Sequence, residues 1–501
     1  MRLEEARREV EALEQELAVE RYENLAGLKA EADTGPIYAK HAALFEPATV
    51  RAALDAARGS AANEPRFLAE YLCHGSIEAR VQPLSDRADT LEASLEVPLQ
   101  GERVPYRALA VRVANEGHRE RRRDLALVQA RATEQHLNPV LRERLVMVHD
   151  LARDLGFRDY ADLCGTLKGI DLAALRDQLD TLVRRTDTLY RWHMEGLLGR
   201  GASIMLAMAE RHDVAHTLRA PWFDDQFPAG QSVEAFEGAL AGAGLSLTAQ
   251  RNILLDTEER PAKSSRAFVV AVRVPEDVRL VVRPKGGQDD YRSLFHEAGH
   301  ALHFGLASPG LSVEARYLGD NSVTEGYAFV LEHILAEEAW AKPRIAPHLL
   351  ERYLWQQRVL RLFMVRRYAA KLRYELELHT KGLEGAADLY KRHLDRVLVF
   401  SNPREHYLVD VDDGFYAASY LRAWAFESIV RAQLKQRFGE AWWQQRGAGD
   451  LLRSLWAQGQ ALTPEQVCAQ LGASFGLGPL QEELIASLKT EARDYQDLPR
   501  F

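Results

Sequence analysis

Hydrophobic positions recur with a helical period along most of this chain and with a strand period in a few short stretches. In residues 1–31, Leu3, Val10, Leu13, Leu17, Leu25 and Leu28 stand in a charged background. The near-heptad spacing is not sustained, so it predicts a long amphipathic helix rather than a coiled coil. Further helix follows to about Glu78. Residues 91–97 and 104–108 alternate apolar and polar side chains on either side of Gln100-Gly101-Glu102. They predict a hairpin with glycine in its turn. Residues 138–244 read as helix after helix, broken near Gly156 and over 218–230, where Pro221, Pro228 and Gly230 cluster. Residues 266–274 and 278–282, dense in valine, predict an antiparallel strand pair. Asp289 or Asp290 is placed to cap the next helix, about 290–304, which Gly305, Pro309 and Gly310 should end. A long helix is expected over about 349–379, with loops at 401–414 and 446–450. The fold class that results is mainly α, with a small antiparallel sheet beside the helix at 290–304. The expected organisation is an N-terminal helical lobe (1–137, with the hairpin at 91–108) and a region 138–501, joined as one continuous compact unit.

Composition narrows the partners. The 501 residues carry a net charge of −9, which disfavours nucleic acid and anionic membranes. The basic run at 119–124 therefore reads as a solvated helix face. No apolar run approaches the roughly 18 residues of a membrane span, and the charged start is unlike a signal peptide. Cys73, Cys164 and Cys468 are odd in number and far apart, as expected of buried inert thiols in a reducing compartment. The expected location is the cytoplasm, as a monomer or homodimer.

The chemistry concentrates at His296-Glu297-x-x-His300. Positions four apart share a helix face, so two imidazoles can reach one zinc ion, with Glu297 beside the open coordination position. A third ligand is needed, and Glu314, Asp320, Glu325 and Glu332 follow in the chain. Glu325 lies in a capped helical pattern that could pack beside the motif helix. Glu332, two turns on, suits a group that orients a ligand histidine. The pair His212-x-x-x-His216 has Asp213 where the glutamate should be and reads as structural or surface.

The stretch H-E-x-G-H-A-x-H at 296–303, with Glu325 downstream, resembles the thimet oligopeptidase/oligoendopeptidase F family of zinc peptidases. So do Leu155-Gly-Phe-Arg-Asp-Tyr-Ala-Asp-Leu163, Pro221-Trp222-x-Asp224, the strands ending at Gly286-Gly287, and Tyr416-x-x-x-Tyr420. The resemblance spans about 138–425 and is firmest over 286–332. It implies a multi-helical peptidase with a deep channel for oligopeptides and one zinc ion. His296, His300 and Glu325 would be the metal ligands and Glu297 the general base. Tyr420 and Tyr416 would donate to the oxyanion, and His406 would stand near the substrate. Gly326-Tyr327-Ala328 replaces the family's Pro-Ser after the third ligand. Zinc would acidify water, and Glu297 would take its proton as it attacks a peptide carbonyl. His303 is expected to be a packed or substrate-side residue. An edge strand near 278–282 would pair with the peptide backbone. A metallocarboxypeptidase is the alternative, with Arg316 one candidate for holding a terminal carboxylate. A peptide-binding protein without catalysis is the alternative from another class.

Overall fold

A computed structural model describes residues 1–29, 31–99, 101–264 and 266–489. Ala30 and Gln100, which fall in the first helical stretch and the hairpin turn, lie outside them. The elements used below are, in chain order, α1 (Leu3–Leu25), α2 (Asn63–Ser94), β1 (Glu96–Leu99), β2 (Glu102–Pro105), β3 (Ile253–Asp256), β4 (Phe268–Arg273), β5 (Asp277–Val281), α3 (Gln288–Gly305), α4 (Asn321–Glu332), α5 (Pro347–Lys381) and α6 (Tyr416–Phe438). The expected mainly helical architecture is what the chain adopts.

The chain forms two compact units, each assembled from three segments. The first takes Met1–Ser76, Trp222–Leu354 and Ser419–Leu480; the second takes Ile77–Pro221, Trp355–Ala418 and the described part of Gln481–Phe501. Neither is a continuous run of sequence.

In the second unit the hairpin lies later than the alternation suggests. Helix α2 runs through Ser94, and the strands pair from Glu96↔Pro105 to Leu99↔Glu102. Leu91 and Leu95 are four apart, and both pack on the core of Val97, Val104, Tyr106 and Leu109. A spacing of four suits a helix turn as well as it suits alternate strand positions, and packing chose the helix. The basic run is likewise more than a solvated face. Arg122, 1% exposed, donates to Asp213 Oδ1 at 3.0 Å, and Arg119 reaches both Asp213 oxygens at 3.1 Å. The neighbouring His212 is buried, and His216 Nδ1 donates to the Ala114 carbonyl at 3.0 Å, so that pair is structural.

In the first unit a three-stranded sheet has the order β3-β5-β4. β4 and β5 pair antiparallel, as the sequence indicates, with Val269 opposite Leu280. β3, which the sequence pattern does not reveal, pairs parallel to β5. Four residues, Ile253-Leu-Leu-Asp256, are too few to show a strand period. β5 is therefore the central strand, and the expectation that 278–282 offers an open edge is overturned; β4 and β3 are the edges. Helix α1 supplies Tyr22, and its C-cap Ala26, to a cluster with Val270, Val272 and Val281, while α3 packs against all three strands. Among the described residues, no helix is long and apolar enough to cross a membrane.

Candidate metal centre

Helix α3 is built to bury one side and present the other. Leu294, Phe295, Ala298, Ala301, Leu302 and Gly305 are buried at helical spacing, and His296, Glu297 and His300 lie half-buried beside them. Asp289 and Asp290 in the first turn suit the helix dipole. Neither is the cap. The N-cap is Gly287, and the Asp290 carboxylate reaches back to accept from the backbone N–H groups of Lys285 and Gly286.

Helix α4 starts at a real cap, the Asp320 carboxylate accepting from Ser322 N–H at 2.8 Å, and is buried from Ser322 to Leu331. It lies directly on α3. A Cβ built on Gly299 would stand 2.6 Å from the Ala328 Cα, so only glycine allows this crossing. One residue pair back, Gly326 admits the Phe426 ring, which a Cβ would meet at 2.2 Å. Tyr327 is buried against His303, Phe426 and Trp456. The departure Gly326-Tyr327-Ala328 is thus a packing unit that seats α4.

The crossing brings Glu325 to the two histidines. Glu325 Oε2 lies 3.2 Å from His296 Nε2 and 3.7 Å from His300 Nε2. Among the described residues this is the one group of three or more His, Cys, Asp or Glu side chains whose ligand atoms converge, all within 4.8 Å of one another. A tetrahedral zinc with ligands at about 2.0–2.1 Å sets them about 3.3–3.4 Å apart, so two imidazoles and a carboxylate at these separations fit such an ion. The remaining ring nitrogens are tied away from the centre. His296 Nδ1 donates to Glu332 Oε2 at 2.9 Å, and His300 Nδ1 lies 2.8 Å from Thr324 Oγ1. Outer partners of this kind fix ring orientation. Burial alone would lower the His296 pKa; Glu325 and Glu332 outweigh it and hold the imidazole well above its usual value. Burial would raise Glu325, and the two histidines overcome it and hold the carboxylate below its ordinary range.

Glu297 is raised instead. Burial pushes its carboxyl up and Glu325 adds to this, against the pull of His300 and His296 and an N–H bond from Val269 of the edge strand β4. His303 is fully buried and has no route to the ligand cluster as a fourth ligand: its Nδ1 faces Thr324 Oγ1 at 3.2 Å and its Nε2 the Gly459 carbonyl at 3.1 Å. Burial pushes it down to about 4. Tyr420 stands one ring from the centre. Its ring centroid is 5.9 Å from Phe329, itself 5.0 Å from His296.

Tyr416 and His406 belong to the second unit. His406 Nε2 is buried without a hydrogen-bond partner, and burial, with Arg211 nearby, pushes its pKa down to about 3. Arg316 is spoken for: it pairs with Glu11 of α1 at 2.6 Å and donates to the Leu311 carbonyl. All three cysteines are buried and none is in a disulfide, with Cys73 and Cys468 pushed by burial to about 12. The residue that sequence reasoning passed over is Thr324. Its one signal is a hydroxyl immediately before Glu325 in a stretch that turns apolar.

Among solved structures, a crystal structure of a protein from Bacillus anthracis str. Ames, provisionally described as an oligoendopeptidase F, matches with a TM-score of 0.62 over 95% of this chain and 84% of that one. This chain shares that fold. The sequences are 15% identical, so the likeness speaks for architecture alone. No protein-family model and no curated protein matches the chain.

Proposed function

We propose that this chain is a zinc-dependent metallopeptidase acting on short, unfolded oligopeptides. The observation that carries the reading is the convergence of His296 Nε2, His300 Nε2 and Glu325 Oε2, with both Nδ1 atoms engaged elsewhere. The likeness to the oligoendopeptidase fold supports it. A zinc ion held there would acidify water and polarise a carbonyl.

The chain's own residues supply the rest. Glu297 is beside the first ligand histidine on α3, and its raised pKa makes it a stronger base than an exposed glutamate. It takes a proton from the attacking water and passes it to the leaving amine. Tyr420 is the candidate hydroxyl donor to the carbonyl oxygen as charge develops there; removing one such donor typically costs about 3–4 kcal/mol of barrier. β4 is an edge strand that touches Glu297 through Val269, so an extended peptide paired to it would lie near the base. Backbone pairing of that kind selects unfolded chains over side-chain sequence.

One assay tests the reading. The protein and an E297Q variant are incubated with a mixed peptide library, with and without chelator, and the products are mapped by mass. Internal cuts by the wild type, lost with chelator and in E297Q, are expected. Equal turnover by E297Q would sink the mechanism. Stepwise loss from the C-terminus would move the substrate class to a carboxypeptidase, and no cleavage by either protein would favour a peptide binder.

A further inference from the structure

We propose that Thr324 is a positioning residue for the metal: its hydroxyl, oriented through His303 by the Gly459 carbonyl, holds His300 in the tautomer whose Nε2 presents a lone pair toward Glu325. The inference rests on the metal reading above.

Its logic is that of donors and acceptors. A carbonyl oxygen only accepts, so the 3.1 Å contact with Gly459 O makes His303 Nε2 the donor. His303 is fully buried against Thr324, the Gly459 carbonyl and the rings of Phe304 and Tyr327, none of them an anion. A second proton would place an unsupported charge in the core. His303 Nδ1 is therefore an acceptor, and the group 3.2 Å away that can donate to it is the Thr324 hydroxyl. A hydroxyl has one proton. With that proton turned to His303, Thr324 Oγ1 meets His300 Nδ1 at 2.8 Å as an acceptor, and Nδ1 must carry the hydrogen. The His300 Nε2, 3.7 Å from Glu325 Oε2, is left as the ligating atom.

The two ligand histidines are thus oriented by different devices. His296 donates to a carboxylate, Glu332, at 2.9 Å. His300 relies on a neutral chain that ends on a backbone group. Thr324 is 6% exposed and adjoins the third ligand, so the chain also ties Glu325's helix to the His300 ring. Serine can replace threonine in this role; valine, of the same shape, cannot.

The test is zinc affinity, measured by chelator competition on the full-length wild type, T324S, T324V and an E325A control. Outer partners of metal-bound histidines are typically worth about 10- to 100-fold in affinity, so T324V should lose roughly that and T324S less than about threefold. T324V matching the wild type would overturn the proposal, as would T324S falling with T324V. A second readout needs no variant: ¹⁵N-histidine spectra of the zinc-free wild type should show His300 as the Nδ1–H tautomer. Finding the neutral Nε2–H tautomer there would overturn the proposal. Wild type and E325A binding zinc equally weakly would instead bring down the metal reading, and the tautomer spectra would still decide whether the chain of hydrogen bonds exists.

Discussion

Glu297 and Glu325 are both glutamates in or beside the motif, and their surroundings drive them apart. Glu325 faces two imidazoles and stays ionised; Glu297 is raised chiefly by burial. That separation is what a ligand and a base require of two like residues. A base acts only when deprotonated, so kcat/KM should fall as pH drops through the Glu297 pKa. Since that pKa is raised, the acid limb should lie above the ordinary glutamate range near 4.3. A pH–rate profile checks it, and a limb at or below the ordinary value would contradict the assignment. Replacing Glu325 by alanine leaves the two imidazoles as the remaining ligands. The expected result is loss of bound zinc by elemental analysis, whereas E297Q should keep it while losing activity by several orders of magnitude. At this scale much was legible. Two histidines four apart announce their shared face, and the glutamate between them announces a base. Tyr420 could be named only through the family resemblance, because helical spacing of tyrosines is equally the mark of a core.

At the scale of elements, the crossing of α3 and α4 makes the centre. A side chain at 299 would run into the Ala328 backbone, so a larger residue must push the helices apart. Gly299→Val should destabilise by about 1–3 kcal/mol through overpacking and move Glu325 off the histidines. A thermal melt together with zinc content measures both effects; a stable variant with full zinc would show that the crossing tolerates adjustment. Helices and the β4–β5 pair were readable because their periods run long enough to separate 3.6 from 2. β3 escaped because four residues define no period. The hairpin shifted because Leu91 and Leu95 fit either pattern, and the core of Val97 and Val104 took the helical one. The sheet order could not be read at all. Alternation says which face a strand buries and nothing about which neighbour lies beside it, so the central place of β5 is not legible in the sequence.

Across the whole molecule, the buried histidines set a pH limit on folding. His303 and His193 are fully buried, and burial pushes each to about 4. His193 accepts from Trp355 Nε1 at 2.9 Å and donates to the Leu488 carbonyl at 3.1 Å, so it too is locked neutral. An unfolded histidine titrates near 6.5. Between about 6.5 and about 4 the unfolded chain binds protons that the native chain refuses, so stability falls as pH falls. Above about pH 6.5 both states are neutral and nothing is lost; the loss reaches on the order of 3 kcal/mol per group once both states have titrated, below about pH 4. Denaturant melts from pH 7 to pH 4 should show that decline, and H303N should flatten part of it. The interleaving of segments also belongs to this scale. Met1–Ser76, Trp222–Leu354 and Ser419–Leu480 form one unit because their apolar faces fit each other, a relation between distant residues that no window of sequence contains.

By itself, then, the amino-acid order determined what is periodic or adjacent: the helices, the valine-rich strand pair, the His296–His300 face and its glutamate. Those are consequences of backbone geometry acting over a few residues. Tertiary structure alone decided that Glu325, from among four acidic candidates, meets both Nε2 atoms, that Gly299 lets α4 come close enough for it to do so, and that the Gly459 carbonyl, 159 positions beyond His300, orders the hydrogen bonds behind it. Each depends on atoms brought within a few ångströms by packing, and close packing is a property of the folded volume rather than of any stretch of chain.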